Sequence, residues 1–327
     1  MSTKNLLVLI IVLAVLAAAA YLTRSRPAAA VANAPAVGDL VLPDLDVNLT
    51  RSITIESPEG TNQLTQQGDV WVVTSLYDYP ADFSRIREQL TGLLDLKVGQ
   101  VMRADEATRV DTGLGDAATI VSLRGADDGE LATIRVGSAR TTQSPAGGFG
   151  GYPDGQYLSM DDESILVVSR SLSGLSPTPT EWIERQLLQV DANDIATIAV
   201  NTGDDSYVIQ NDTNQVMTLD GLGEKETFDA TAAGQLKRAL SYLSCQGVAD
   251  PALTDEAMAL TDAATYTATL RDGRSYAVAL GGETNNARYA RFTVTGDDER
   301  SHLADWTYLL PGYAATSMTV ARETLVK

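Results

Sequence analysis

The 327-residue chain is poor in the side chains that carry out most enzyme chemistry. It has one histidine, one cysteine and five lysines, and 43 Asp+Glu outnumber 24 Lys+Arg to give a formal net charge of −19. A single cysteine excludes an intramolecular disulfide and any multi-cysteine metal site. The excess of negative charge disfavours binding to nucleic acid and to anionic lipid headgroups, because both would be repelled.

The sequence also lacks the motifs that mark common catalytic sites. There is no Gly-x-Ser-x-Gly elbow, and no lysine stands three residues after a serine. His302 follows Ser301 directly, and adjacency in sequence does not create the facing geometry that a general base requires. No Gly-rich loop ends in Lys-Ser/Thr. We therefore expect no catalytic, cofactor-binding or metal-binding residues and a protein that is not an enzyme, with Cys245 as a buried, inert thiol.

Acidic side chains are the most abundant candidates for chemistry. They cluster in predicted hairpin turns without the spacing of a calcium loop, so solvated turns are the favoured interpretation. A glycosidase-type carboxylate pair remains an alternative, since separation in space cannot be read from sequence. The clusters are Asp127-Asp128, Asp161-Asp162-Glu163, Asp204-Asp205 and Asp297-Asp298-Glu299.

The N-terminus carries the longest apolar run of the chain. Residues Leu6 to Leu22 include no charged side chain, and as a helix they would rise about 25 Å, near the lower limit for crossing a bilayer. We expect residues 1–26 to be an uncleaved single-pass anchor in the inner membrane, with the bulk in the periplasm or extracytoplasmic space. The alternative is a secretory signal cleaved after Ala32-Asn33-Ala34. Residues 27–45 are rich in Ala and Pro and predict a tether.

The remainder contains an internal repeat. Asp116-Ala117-Ala118-Thr119 returns about 146 residues later as Asp262-Ala263-Ala264-Thr265. Ile53 matches Ile198, Asp82 matches Asp229 and Gly137 matches Gly281. The predicted fold class is α+β: an N-terminal transmembrane helix, then two tandem repeats of a mostly antiparallel sheet with one covering helix each. The modules are assigned to residues 46–180 and 181–327.

Alternation of apolar and polar residues predicts the strands, and apolar residues three and four apart predict the helices. In the first module the helix runs from Phe83 to about Leu96, with Asp82 as its N-cap. Its strands are expected at 52–56, 70–73, 118–123, 131–136, 156–160 and 165–168, the first two forming a hairpin. In the second module Asp229 caps a helix through Leu236, Leu240 and Leu243, and strands are expected at 195–200, 207–210, 216–219, 265–270, 276–280 and 289–294.

Between the modules, Glu181 to Leu188 predicts a short connecting helix capped by Thr180. Trp71, Trp182 and Trp306 are predicted to anchor the junction, since aromatic side chains on strands and at connections usually pack. The first module also has a Gly-rich segment, residues 144–151, that its counterpart lacks. Phe149 and Tyr152 there are candidates for a partner-binding loop, with an ordinary hairpin tip as the alternative.

The order of these features resembles the family known as domain of unknown function 4340. The resemblance rests on the anchor Leu6 to Leu22, Trp71 on a strand, Tyr79-Pro80-Ala81-Asp82 leading into a helix, and Glu181-Trp182 with Leu187-Leu188. It implies an extracytoplasmic auxiliary component associated with gliding-motility-type ABC transporter systems, and it brings no catalytic residues.

The expected function is therefore a non-enzymatic, membrane-anchored auxiliary or binding subunit. Its expected partner is a membrane protein, an ABC transporter permease or auxiliary subunit, with no cofactor and no nucleic acid. One alternative is an envelope scaffold that binds polysaccharide or protein in the cleft between the modules. The second is a carboxylate-dependent hydrolase.

Overall fold

The computed structural model describes residues 35–142 and 152–327. The predicted anchor, the alternative cleavage site and Phe149 lie outside these ranges. Within them, no helix combines the length and the apolar character needed to cross a membrane.

The chain divides into two compact units that are discontinuous in sequence. Of the described residues, unit one comprises those within Met1–Thr61 and Arg87–Pro177, and unit two comprises Asn62–Ile86 and Thr178–Lys327. The sequence assigned Asn62–Ile86 to the first module, whereas its contacts in the structure group it with Thr178–Lys327. The residues around Trp71 and Tyr79 therefore belong to unit two.

Most strands belong to two antiparallel sheets, of nine and eight strands, which confirms the mostly antiparallel β architecture. The described strands are β1 Ser52–Ser57, β2 Gly60–Gln67, β3 Val70–Val73, β4 Tyr79–Pro80, β5 Val98–Arg103, β6 Thr119–Arg124, β7 Glu130–Thr142, β8 Tyr152–Ser159, β9 Ser164–Val168, β10 Gln186–Leu188, β11 Ile195–Asn201, β12 Ser206–Asn211, β13 Met217–Leu219, β14 Leu243–Ser244, β15 Gly247–Val248, β16 Ala264–Leu270, β17 Ser275–Thr284, β18 Ala287–Thr295 and β19 Thr307–Pro311. The described α-helices are α1 Phe83–Leu94, α2 Glu106–Asp111, α3 Gly234–Arg238 and α4 Gly312–Met318.

In unit one the strands follow the order β1-β6-β7-β8-β9-β5, and every neighbouring pair is antiparallel. Alternate residues face the core, as the period of two of a half-buried strand requires. Ile55 lies opposite Val121, and Val121 lies opposite Ile134. All three are buried, so they form one apolar row across the sheet.

In unit two the larger sheet follows the order β13-β12-β11-β16-β17-β18-β19-β15. Val200 lies opposite Tyr266, and Tyr266 lies opposite Val278, again as a buried row. The Tyr266 hydroxyl donates to the Leu236 carbonyl at 2.8 Å and so connects this row to helix α3. Unit two also holds the antiparallel pair β10-β14 and the β3-β4 pairing near Trp71.

The two units use the same strand order. β1-β6-β7-β8-β9-β5 corresponds to β11-β16-β17-β18-β19-β15. The register corresponds as well: Ile53 is paired with Leu123, and Ile198 is paired with Ala268. The predicted match of Ile53 with Ile198 thus falls on equivalent positions of equivalent strands.

Gly137 and Gly281 also occupy equivalent environments. A Cβ atom at Gly137 would overlap the Thr112 carbonyl oxygen and lie 2.9 Å from Leu114 Cγ. A Cβ atom at Gly281 would overlap the Met258 carbonyl oxygen and lie 3.1 Å from Leu260 Cδ2. In each unit a strand therefore passes so close to a preceding turn that only glycine fits.

Helix α1 confirms the helix predicted from Phe83, although it ends at Leu94. The second predicted helix was too long: α3 has five residues, and Leu243 lies in strand β14. Asp229 does accept N–H bonds, from Thr231 and Ala232, but these close a local turn ahead of α3. Pairing of Leu243 with β10 outweighs the local helical pattern there.

Two further predictions were wrong. The connector is a 3-10 turn at Pro179–Glu181 followed by strand β10, and its N-cap is Thr178 rather than Thr180. The predicted hairpin of the first two strands contains an additional strand, β2, which pairs with β3. The polar composition of β2 conceals it, since its buried positions are Asn62 and Leu64 in a run of Thr and Gln.

Candidate functional site

The Tyr79-Pro80-Ala81-Asp82 segment turns the chain from sheet into helix. Tyr77 and Asp78 have φ values of 59° and 60°, so a tight left-handed turn precedes β4. Asp82 accepts the Arg85 N–H through Oδ1 at 3.1 Å, as an N-cap does. The segment therefore fixes where α1 begins.

This segment is bonded directly to the Trp182 connector within unit two. The Asp82 N–H donates to the Trp182 carbonyl at 2.7 Å, and the Glu184 N–H donates to the Pro80 carbonyl at 2.9 Å. Ala81 and Ile183 form an antiparallel bridge between these bonds. Two sequence motifs that lie about a hundred residues apart thus form one short antiparallel ladder.

Arg85 links the two motifs on their surface side. Its guanidinium lies 5.0 Å from the centroid of the Trp182 ring, within cation–π range. Its Nη2 atom lies 2.9 Å from Glu181 Oε2. Trp182 itself has no exposed surface, so the ring is held between the interior of unit two and this ion pair.

Beneath the ladder lies an aromatic cluster. Tyr79 packs edge to face against Trp306 and Tyr308, with ring centroids 5.0 and 6.2 Å apart. The Tyr79 hydroxyl donates to the Glu184 carbonyl at 3.1 Å. Burial raises the pKa of the Tyr79 hydroxyl and of the Tyr308 hydroxyl, so both stay neutral.

Cys245 belongs to the same buried region. Its residue is only 3% exposed. Burial is the largest influence on the thiol and raises its pKa to about 11. A thiol protonated at neutral pH is a poor nucleophile and a poor metal ligand, which supports the prediction of an inert side chain.

An open groove of about 820 Å³ lies over the ladder, and we call it the motif groove. Exposed polar and charged side chains form much of its lining, and Ile183 and Leu243 contribute buried apolar side chains. The exposed members are Glu181, Glu184, Arg185, Gln186, Gln189 and Tyr242.

The charges of the motif groove are held in place by local bonds. Glu184 accepts the Gln186 N–H at 2.9 Å, and Arg185 donates to the Thr180 carbonyl at 2.7 Å. Both side chains are exposed to solvent. The bonds therefore fix the positions of the two charges, and the charges remain accessible to a partner. The groove therefore presents fixed positive and negative groups side by side.

The three predicted anchor residues all lie in unit two. Trp71 is 7% exposed and its carbonyl accepts the Ala81 N–H at 2.8 Å. Trp182 contributes to the ladder, and Trp306 contacts Tyr79. Their role as anchors of a junction stays a prediction. Of the two loop candidates, Phe149 lies outside the described residues, and the backbone of Tyr152 begins strand β8.

Sequence reasoning did not identify Arg85, Glu184, Arg185 or Tyr242 as site residues. Their types are common on protein surfaces, and their grouping depends on the ladder between distant segments. One sequence feature pointed to Arg85. It lies three residues after the capping Asp82, in the first turn of the helix and so close to the segment that precedes it.

In two of the acidic clusters, one carboxylate accepts backbone N–H bonds from residues two or three positions further along: Asp161 and Asp297. Burial raises the pKa of the Asp161 carboxyl, but the N–H bonds from Glu163 and Ser164, together with the Ser164 hydroxyl and the Arg109 charge, lower it overall. The Tyr276 hydroxyl donates to Asp297 at 2.5 Å and is the main cause of the lowered pKa of that carboxyl. A glycosidase general acid requires the opposite shift.

Two other kinds of candidate for chemistry are the single histidine and a group of metal ligands. His302 is exposed on a 3-10 helix that spans Asp298–Asp305. Among the described residues, no group of three or more His, Cys, Asp or Glu side chains is arranged to hold a metal ion.

Comparison with known proteins gives one family. Residues 71–268 match the family described as domain of unknown function (DUF4340). No curated protein and no solved structure matches the chain. The match begins at Trp71 and includes both segments of the ladder, Tyr79–Asp82 and Glu181–Ile183. Since it covers more than half of the 327 residues, the chain belongs to the DUF4340 family.

Proposed function

We propose that the protein is a non-enzymatic auxiliary subunit that binds a membrane-protein partner of an ABC-type transport system. In this proposal the apolar run at residues 6–22 anchors it in the inner membrane, and the described units lie in the extracytoplasmic space. The motif groove is the partner-binding site. The family resemblance supports the association with transport, and the structure supports the choice of groove.

The observation that carries the proposal is the convergence of the two family motifs on one groove. Tyr79–Asp82 and Glu181–Ile183 are bonded to each other. Asp82 and Glu181 of these segments line the groove, together with Arg85 of the helix that follows Asp82. Segments that only stabilised the fold would not need to place charged side chains around a shared opening. Convergent exposed polar groups at a preformed concavity are typical of binding sites.

The character of the groove favours a folded partner over a small apolar ligand. Its exposed lining consists of charged, amide and tyrosine side chains. Charges at the edge of an interface mainly set orientation and partner choice. A partner surface with complementary Lys or Arg and Asp or Glu side chains would pair with Glu184 and Arg185 without any bond-making step.

The proposal also takes the two units as two copies of one α+β module. Their shared strand order, their matching registers and the equivalent surroundings of Gly137 and Gly281 support duplication. Duplicated modules are free to diverge on their surfaces while their cores keep one topology. The motif groove belongs to unit two alone, as expected if one copy acquired the binding role.

The test is affinity purification of the full-length protein from detergent-solubilised membranes, followed by mass spectrometry. A photo-crosslinking residue at position 186 should capture a transporter permease or auxiliary subunit. The control position 299 is also exposed but lies outside the groove, and a crosslinker there should capture far less. Position 186 lines only the motif groove among the described grooves.

A charge reversal sharpens the test. Arg185→Glu should lower partner recovery by about tenfold, since reversing an interfacial charge creates repulsion. Arg300→Glu changes the same charge on an exposed side chain elsewhere in unit two and should leave recovery unchanged. Equal recovery of a transporter subunit by both variants would refute the site. Failure to recover any transporter subunit with the wild-type chain would refute the function.

A further inference from the structure

Unit two carries a second groove, which contains two exposed aromatic rings. The groove has a volume of about 810 Å³, and we call it the tyrosine groove after Tyr242 and Tyr313 on its lining. Tyr242 is 79% exposed and Tyr313 is 75% exposed. Large aromatic side chains are normally more buried than this, because burial of their surface stabilises the fold.

The sequence places these tyrosines at turns rather than in the core. Tyr242 follows helix α3 by four residues, and Tyr313 lies in the first turn of α4. Neighbouring positions are buried: Leu240, Leu243 and Ala314 direct their side chains into unit two. The two rings are therefore left on the surface by helical and strand geometry that buries the residues beside them.

Polar side chains around the rings are available to a ligand. Gln235 and Arg238 are exposed on α3 and line the groove. Among the described residues, neither side chain is engaged in a hydrogen bond or ion pair, and the same is true of the hydroxyls of Tyr242 and Tyr313. A ligand rich in hydroxyl groups could bond to all four without displacing an internal contact.

The charge of the groove is balanced. Among the described residues that line it, Asp191 and Arg238 alone carry a formal charge, and Asp191 already accepts the Asn193 N–H at 2.9 Å. A chain with a net charge of −19 otherwise favours cationic ligands. A groove without net charge on such a protein matches a neutral ligand better than a polyanion or a polycation.

Another groove, of about 540 Å³, shares one lining residue with the tyrosine groove. Tyr313 lines both, and Asn285, Asn286 and Arg288 contribute amide and guanidinium groups to the second. Two grooves that share one exposed aromatic ring suit a ligand built of repeated units.

We propose that the tyrosine groove binds a neutral oligosaccharide chain. The rings of Tyr242 and Tyr313 would pack against the apolar C–H faces of sugar rings. The amide, guanidinium and hydroxyl groups would bond to sugar hydroxyls. No covalent step is involved. The tyrosine groove shares Gln189, Tyr242, Leu243 and Ser244 with the lining of the motif groove. The proposed saccharide is a different ligand from the proposed protein partner.

The experiment titrates the full-length protein, in a detergent without a sugar headgroup, with maltohexaose, cellohexaose and the hexamer of N-acetylglucosamine. Binding is measured by isothermal titration calorimetry. We expect at least one of the three to bind with a dissociation constant at or below the millimolar range. Tyr313→Ala should weaken that binding by about tenfold, because aromatic contacts contribute at this level.

Two control variants separate stacking from folding. Tyr313→Phe keeps the ring and should retain affinity within about twofold. Phe83→Ala removes another exposed aromatic side chain of unit two, outside the groove, and should have no effect. Tyr242 is left unchanged because it also lines the motif groove. Arg185→Glu should leave saccharide affinity unchanged, so this test is independent of partner binding.

The proposal would be overturned by absence of binding for all three saccharides at concentrations of about 10 mM, a weak-binding limit. It would also be overturned by equal saccharide affinity of the wild-type and Tyr313→Ala proteins. A proline-rich peptide is the competing ligand, since aromatic-lined grooves also bind extended proline helices. Binding of such a peptide with no saccharide binding would assign the groove to a polypeptide instead.

Discussion

At the scale of single residues, Gly137 is the position, among the described glycines of unit one, where an added Cβ atom would come closest to a neighbouring atom. An added Cβ at Gly137 would meet a backbone carbonyl, that of Thr112, and backbone cannot move aside as a flexible side chain can. Gly137→Ala should therefore lower the free energy of unfolding by about 1 to 3 kcal/mol, the usual cost of overpacking. Chemical denaturation in urea measures this change.

Gly129 is the matched control in the same unit. A Cβ atom there would meet no atom within 4 Å. Gly129→Ala should change the free energy of unfolding by less than about 1 kcal/mol. Similar losses for both variants would contradict the close approach at Gly137.

Glu226 gives a prediction about pH. It lies 2.7 Å from Arg322 at the end of the chain. The hydrogen bond from Arg322, supported by the Gly223 N–H, lowers the pKa of Glu226 from 4.5 to about 2. Because the folded-state pKa is below the unfolded one, this contact stabilises fully above pH 4.5 and is lost as pH falls towards 2.

The measurement is an NMR titration of the Glu226 carboxyl carbon. Its midpoint should lie near pH 2 in the wild-type protein and move towards 4.5 in Arg322→Ala. The Arg300→Ala variant removes an unrelated exposed arginine and should leave the midpoint in place. An unshifted wild-type midpoint would show that the ion pair does not form.

At the scale of elements, the start of α1 depends on Asp82. Its carboxylate accepts the Arg85 N–H, and loss of an N-cap acceptor costs about 1 kcal/mol. Asp82→Ala should show this loss by thermal or urea unfolding, while Asp82→Asn retains an acceptor and should lose much less. Ser84 is exposed and lies two residues after Asp82, so Ser84→Ala should hardly change the free energy of unfolding. A full loss in Asp82→Asn would point to charge rather than capping.

Elements with strong local signals were predictable from sequence. α1 has apolar residues at three- and four-residue steps after a capping aspartate, and β3 is a short apolar run, so both were located closely. β2 was missed because Asn62 is one of its buried positions and polar residues dominate its length. The second helix was overextended because Leu240 and Leu243 fit helical spacing, although the pairing with β10 takes Leu243 into a strand.

The candidate site was predictable only in part. Tyr79–Asp82 and Glu181-Trp182 could be recognised as motifs, and Asp82 as a cap. Their bonding to each other could not, since an antiparallel bridge between Ala81 and Ile183 depends on contacts between residues far apart in sequence. The same limit applies to the tyrosine groove, because nothing in the local sequence shows that Tyr242 and Tyr313 share a surface.

At the scale of the whole molecule, the positions of the optical probes allow the two units to be followed separately. All three tryptophans of the chain, Trp71, Trp182 and Trp306, lie in unit two, and so does the buried Cys245. Circular dichroism reports on strands of both units. Tryptophan fluorescence and thiol accessibility therefore report on unit two alone.

Each unit has its own buried core, and a compact unit of this kind can unfold as one cooperative transition. Gly137→Ala should move part of the circular dichroism transition to lower urea while the tryptophan fluorescence midpoint and the onset of Cys245 labelling stay unchanged. Gly281→Ala, at the equivalent position of unit two, should shift the fluorescence midpoint and the labelling onset together. If Gly137→Ala shifts all three probes equally, the units unfold as a single cooperative structure, and the division into separately stable modules is wrong.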